Sequence, residues 1–161
     1  MYGGTAELPH FNPDDDVEPL HWAVTALRGQ IRTADALLFS TPEYAGALPG
    51  AFKNLLDWTI GDAHSGSIYE KPVAWINVSP RGAIAAHESL RNVLGYANAF
   101  VVEAACAHVP MTSAMTVNDG LVTVPAVRDQ LADVVRALAA HVASERVDAR
   151  MGPPPSTGST T

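Results

Sequence analysis

The stretch "ADALLFSTPEYAGALPGAFKNLLDW", residues 34–58, decides how this chain folds. Its first seven residues, "ADALLFS", are a short apolar run of the kind that forms a strand buried on both faces. The next segment is stiff and nearly chargeless. Pro42, Gly46, Pro49 and Gly50 restrict it, and one acid, Glu43, and one aromatic, Tyr44, stand in its middle. Residues 49–58 then read as a helix. Proline suits a first turn, and Phe52, Leu55 and Leu56 share one face. A plain connector between strand and helix has no need of such conformational control.

Outward from this unit the same alternation continues. Residues 1–16 read as irregular, because Pro9 and Pro13 exclude a regular helix or an inner strand. Across residues 17–32, Leu20, Ala23, Val24, Leu27 and Ile31 follow helical spacing, and Asp14, Asp15 and Asp16 suit the positive end of that helix. Residues 61–72 form a loop by composition. "VAWINVS" (73–79) is a second buried strand, and "PRGA" (80–83) turns the chain into a helix marked by Ala86, Leu90, Val93, Leu94 and Ala97. "FVVEAACAHV" (100–109) is a third strand, and "VNDG" (117–120) is a turn. A last helix starts near Pro125, with Val127, Leu131, Val134, Val135, Leu138 and Val142 on one face. The Pro/Gly/Ser/Thr-rich end, "MGPPPSTGSTT", reads as disordered, so the domain is assigned to 1–147 and the tail to 148–161.

This order implies an α/β protein with a parallel sheet covered on both faces. Ligands of such sheets bind beyond the carboxyl ends of the strands, so loops 40–49 and 79–83 are the site candidates. Three strands is few where five are usual, and the first helix has no strand before it. Both facts lead us to expect missing N-terminal structure.

Composition narrows the function. The 161 residues carry a formal charge of −7 and no Lys/Arg run, which argues against nucleic-acid binding. A hydrophobic content of 47% supports a real core rather than disorder. The single cysteine, Cys106, lies in an apolar segment and reads as core. No secretion signal opens the chain and no apolar run approaches the ~20 residues that span a bilayer, so a soluble cytoplasmic protein is expected. His87-Glu88 begins a zinc-protease motif that fails at Arg91. The sequon at Asn77 falls in a buried strand and is discarded. His64 reads as an exposed loop residue.

The 34–58 stretch closely resembles the signature of the NADPH-dependent FMN reductase family: apolar strand, Thr-Pro-Glu-Tyr, Pro-Gly, then Lys-Asn-Leu-Leu-Asp-Trp. "LPHFNPDDD" is similar to the segment after that family's second strand, and "KPVAWINVSPRGA" to its fourth strand and following loop. The resemblance covers nearly all of residues 7–145. It implies a flavodoxin-like three-layer sandwich and NAD(P)H-dependent, FMN-using reduction of flavin, quinone or similar small acceptors. It places Thr41, Pro42, Glu43, Tyr44 and Ala45 around the flavin ring, and Ser79, Pro80, Arg81, Gly82 and Ala83 along its border. Ala45 stands where many members carry Asn, and members have more glycine in the second loop. Arg81 reads either as a cation for a dinucleotide phosphate or as a solvent-facing turn residue. Tyr44 reads either as a flavin border or as a subunit contact. Members assemble as homodimers or tetramers, with the 49–58 helix near the contact.

Members also begin with a strand and a Gly-Ser-x-Arg loop that holds the FMN phosphate at a helix N-terminus. Gly3-Gly4-Thr5 is rejected as its substitute, since no strand precedes it and Leu8-Pro9 follows. The resemblance therefore implies an N-terminally truncated domain retaining about three strands, with residues 34–40 as an open edge. The alternative function is a non-catalytic module that acts through oligomerisation and binds flavin weakly or not at all.

Overall fold

Strand β2, Pro72–Asn77, is covered on both faces and organises the sheet. In the computed structural model, which describes residues 1–60, 67–116 and 120–151, its side chains alternate as a pleated strand requires. Val73 and Trp75 enter one apolar cluster, with Leu27, Leu56, Trp58 and Leu90. Ala74 and Ile76 enter clusters on the opposite face, with Leu138 and with Val127 and Val134. Helices α1 (Trp22–Thr33), α2 (Gly50–Trp58) and α3 (Ile84–Tyr96) supply the first face, and α4 (Pro125–Met151) supplies the second. This is the expected flavodoxin-like α/β/α layering.

Strand β1, Leu37–Phe39, pairs in parallel with β2, setting Leu37 opposite Val73 and Phe39 opposite Trp75. It is shorter and less covered than the sequence suggests. Among the described residues it pairs with β2 alone, and Leu38 is 41% exposed. Covering layers thin out at a sheet edge, and among the described residues no strand pairs with the outer side of β1. A groove of about 450 Å³ runs beside it against Leu27, Ile31 and Phe52. A second, of about 610 Å³, lies between Ala36 and the Leu138–Val142 face of α4.

The third expected strand is broken in two. β3 (Phe100–Val101) pairs with the start of β2, and β4 (Ala107–His108) pairs with its end. Between them Glu103–Ala105 form a 3-10 turn. Val102 still donates to the Val73 carbonyl at 2.9 Å, but Ala105 and Cys106 bond back to Val102 and Glu103 at 2.8 and 3.0 Å. Glu-Ala-Ala prefers the helical region, unlike the β-branched residues before it. Cys106 is half-buried, its thiol 3.6 Å from the Val102 carbonyl, and burial pushes that thiol up from its ordinary pKa.

α1 begins at Trp22, later than residue 17. Pro19 intervenes, and the cap is His21, whose Nδ1 accepts from the Ala23 N–H at 3.3 Å. The acids therefore do not cap α1. Asp14 and Asp15 sit in a 3-10 turn, and Asp16 receives both arms of Arg28 at 2.7 and 2.9 Å. Arg28 is buried, and its Nε donates to the Trp58 carbonyl at 3.0 Å. Pro9 accepts from Asn54 and from the Trp58 indole at 2.9 and 2.8 Å, so the irregular N-terminal segment is clamped onto α2.

α4 continues through Met151 because no breaker precedes Gly152, so residues 148–151 are helical where the tail was expected to start. Residues 61–66, including His64, residues 117–119 of the expected turn and residues 152–161 of the tail lie outside the described residues. No described helix is long and apolar enough to cross a membrane.

Removing one member of a buried ion pair strands the other charge, at a cost of about 3–5 kcal/mol. Asp16→Ala is expected to lower the unfolding free energy by about 3 kcal/mol in urea titrations, with Asp16→Asn falling between it and the parent chain.

Candidate functional site

Because β1 and β2 run parallel and in register, the loops that leave them emerge side by side at one edge of the sheet. In the first loop Thr41 is buried, and its hydroxyl donates to the Pro42 carbonyl at 3.2 Å. Tyr44 and Ala47 exchange two main-chain hydrogen bonds, at 3.1 and 3.0 Å, around Ala45 and Gly46. Both turn residues have positive φ, 51° and 70°. A two-residue turn of this kind favours Asn-Gly, so Ala45 holds a conformation that costs a residue with a Cβ about 1 kcal/mol.

The second loop follows β2. The Asn77 side chain accepts from the Ser79 N–H at 3.0 Å and donates to the Gly82 carbonyl. Gly82 has φ 93° and Ala83 has φ 42°, and Ala83 is the N-cap of α3 with no side-chain oxygen to offer. The missing cap comes from the other loop. Glu43 Oε2 accepts from the Ala86 N–H at 3.0 Å. Its charge sits at the positive end of α3, the place where a carboxylate is stabilising. Glu43 thus ties the first loop to the helix that the second loop enters.

Between the loops lies a cleft of about 830 Å³. Thr41, Pro42 and Glu43 line one wall, and Ser79, Pro80, Arg81 and Ala83 line the other. Tyr44 and Ala45 do not line it. They form the exposed turn above it, and Tyr44 is 66% exposed. Gly82 faces a neighbouring cleft with Trp75 and His87. The sequence reading missed Ile84, Ala85 and Glu88 on the first turns of α3, together with Val78 and Met111. The helix residues were discoverable, since a loop feeding a helix turns that helix's N-terminus toward the site. Nothing local marks Met111, which arrives because its N–H donates to the Val78 carbonyl at 3.0 Å.

Among the described residues, the main-chain N–H groups of Glu43, Ala45 and Gly46 have no acceptor within the chain, nor do those of Ile84 and Ala85 at the start of α3. The Arg81 side chain has no ion-pair partner among them. Glu43, Ile84 and Ala85 line the cleft beside Pro42, and unshared N–H donors on a proline-stiffened wall suit the polar edge of a flat heteroaromatic ring such as the flavin end of FMN. Gly3, Gly4 and Thr5 do not build a phosphate cradle. They lead into one 3-10 turn, Thr5–Glu7, and the Tyr2 hydroxyl already fills the space a Cβ on Gly4 would need. Glu43→Ala is expected to lower the unfolding free energy by about 1 kcal/mol, the usual worth of a helix cap, and Ala45→Asn to raise it by up to about 1 kcal/mol, both read by chemical denaturation.

Residues 3–114 match the NADPH-dependent FMN reductase family. A quinone reductase of Pseudomonas putida is 34% identical over 90 residues, covering 55% of this chain and 48% of the relative. An NADPH azoreductase of a Bacillus species is 38% identical over 99 residues, covering 58% of this chain and 52% of the relative. The chain thus spans about half the length of the curated relatives it matches. The solved structure of the flavoenzyme NAD(P)H:(acceptor) oxidoreductase FerB from Paracoccus denitrificans superposes with a TM-score of 0.70 at 29% identity, over 87% of this chain and 78% of that one. The matched span includes both loops and every wall of the cleft, and on that extent of agreement the chain belongs to the NADPH-dependent FMN reductase family.

Proposed function

We propose that this chain holds the ring of FMN in the cleft between loops 40–49 and 79–83, in an NAD(P)H-dependent reductase of quinones, flavins or similar small acceptors. The observation that carries the reading is that Glu43, Ile84 and Ala85, whose main-chain N–H groups are unshared among the described residues, all line a cleft of about 830 Å³. Bound FMN would supply the redox chemistry, taking a hydride from nicotinamide and passing on one or two electrons. The chain's own residues bind and orient. Glu43 and Ala45 present unshared main-chain N–H groups, and Thr41, Pro42 and Tyr44 shape the stiff loop that carries them, which has little entropy to lose. Ser79, Pro80, Arg81 and Ala83 border the ring, Gly82 holds the turn between them from the neighbouring cleft, and Arg81, without an ion-pair partner among the described residues, offers a cation to the phosphates of the dinucleotide. Glu43 is not the proton donor in this reading, because its carboxylate is engaged by Ala86.

The names of the relatives support the same class of acceptor, and the activity is proposed for the protein that carries this chain. Residues 1–147 are the flavin domain in this reading, the setting is cytoplasmic, and the assembly is a homodimer or tetramer. Ile60, Tyr69 and Tyr96 support the assembly. They are 46%, 48% and 92% exposed around one shallow pocket beyond the end of α2.

Titration of the purified chain with FMN, followed by flavin fluorescence, is expected to show saturable uptake, and the loaded protein to oxidise NAD(P)H when a quinone is present. A protein that takes up no FMN would overturn this function for the chain and favour the non-catalytic module. Arg81→Ala is expected to raise KM for the dinucleotide about tenfold with kcat held, as loss of one charge-assisted contact would.

A further inference from the structure

Asn77, His87 and His108 come from β2, α3 and β4, and all three bond to the main chain of the same short loop. The His108 Nε2 lies 2.8 Å from the Ser79 carbonyl. The His87 Nδ1 lies 2.9 Å from the Ala83 carbonyl, which also accepts the His87 N–H at 3.2 Å. Asn77 takes the Ser79 N–H and gives to the Gly82 carbonyl. The first and last residues of the loop are therefore each pinned by an imidazole, with the Asn77 amide between them.

A carbonyl only accepts, so these contacts fix both tautomers. His87 carries its proton on Nδ1 and His108 carries its proton on Nε2. The consequence for His87 is costly. Its Nε2 is left as a lone pair, the side chain is only 9% exposed, and that nitrogen is buried without a partner among the described residues. A leucine there would escape the cost of an unmet buried acceptor. What the imidazole provides and leucine cannot is a second, side-chain bond to the carbonyl of Ala83, the residue with φ 42° at which the loop turns into α3. A residue with a Cβ stays in that conformation only when its surroundings enforce it.

We infer that Asn77, His87 and His108 are positioning residues, a three-point brace that fixes the main chain of residues 79–83 and thereby sets flavin affinity in the adjoining cleft. The inference rests on the reading of that cleft as the flavin-ring site. None of the three side chains needs to touch the ring. Asn77 and the two histidines stand behind the loop in the neighbouring cleft, while Ser79, Pro80, Arg81 and Ala83 present its other side to the proposed ring site.

The test uses the full chain and four variants. His87→Leu and His108→Ala remove the donors, whereas His87→Asn and His108→Gln keep an N–H near the lost position. Amide hydrogen exchange across residues 79–83 is measured without flavin, and FMN binding by fluorescence titration. Exchange at Gly82 is expected to rise roughly fivefold in each donor-removing variant, FMN binding to weaken by a similar factor, and the conservative variants to recover both. The thermal midpoint of His87→Leu should hold or rise, because the buried lone pair is gone. Unchanged exchange in His87→Leu and in His108→Ala, whose site is exposed and safe to alter, would overturn the brace. Faster exchange with unchanged FMN affinity would overturn its positioning role. A parent chain that takes up no FMN while the exchange response persists would overturn the flavin reading, and with it the positioning role, rather than the brace itself.

Discussion

The parallel register of β1 on β2, Leu37 opposite Val73 and Phe39 opposite Trp75, is the constraint on which the site depends. Parallel strands end at the same edge of a sheet, so the two loops have no choice but to leave together. Glu43 then closes the gap between them. It caps a helix whose own N-cap, Ala83, cannot do so, and the carboxylate that completes α3 is also the one that positions the first loop. Fold and candidate site share this single hydrogen bond, which gives the acid in the middle of a nearly chargeless loop a structural partner.

A second anchoring system lies below the sheet edge. Arg28 is buried on α1 and reaches Asp16 in the N-terminal segment and the last carbonyl of α2. A buried guanidinium is tolerated only when its donors are met, and here the carboxylate and the carbonyl meet them. Asn54 and Trp58 continue the clamp through Pro9. An irregular segment with two prolines is thereby made part of the domain, because its carbonyls are used as acceptors by the helix that follows the first loop.

Both loops of the proposed site contain left-handed backbone, as do Glu70, Asn98 and Gly120 elsewhere among the described residues. Ala45, Gly46, Gly82 and Ala83 all have positive φ, and two of them carry a Cβ. Such positions persist only where the surrounding structure holds them. The surrounding bonds from Tyr44, Ala47, Asn77 and His87 keep those turns in place.

Much of this was legible in the sequence. The apolar runs at 34–40 and 73–79, the proline-stiffened loop and the helical spacing of Leu90 and Leu94 are local patterns, and local patterns specify element type. Strand–helix alternation then specified a parallel sheet and pointed to the loops at its carboxyl edge. The residues could not say that Glu-Ala-Ala would interrupt the third strand, that Asp16 would leave the helix cap for Arg28, or that Tyr44 would stand above the cleft rather than in it. The first is a contest between local helical preference and strand pairing with β2, and the other two depend on partners distant in the chain or on how the loops pack. Met111, His87 and His108 likewise acquire their places only when β4 and α3 pack around β2. Sequence by itself determined the elements, their order and the family. Tertiary structure alone decided which side chains meet at the loops, because hydrogen-bond partners 30 or more residues apart, such as Glu43 and Ala86, are chosen by packing and not by spacing.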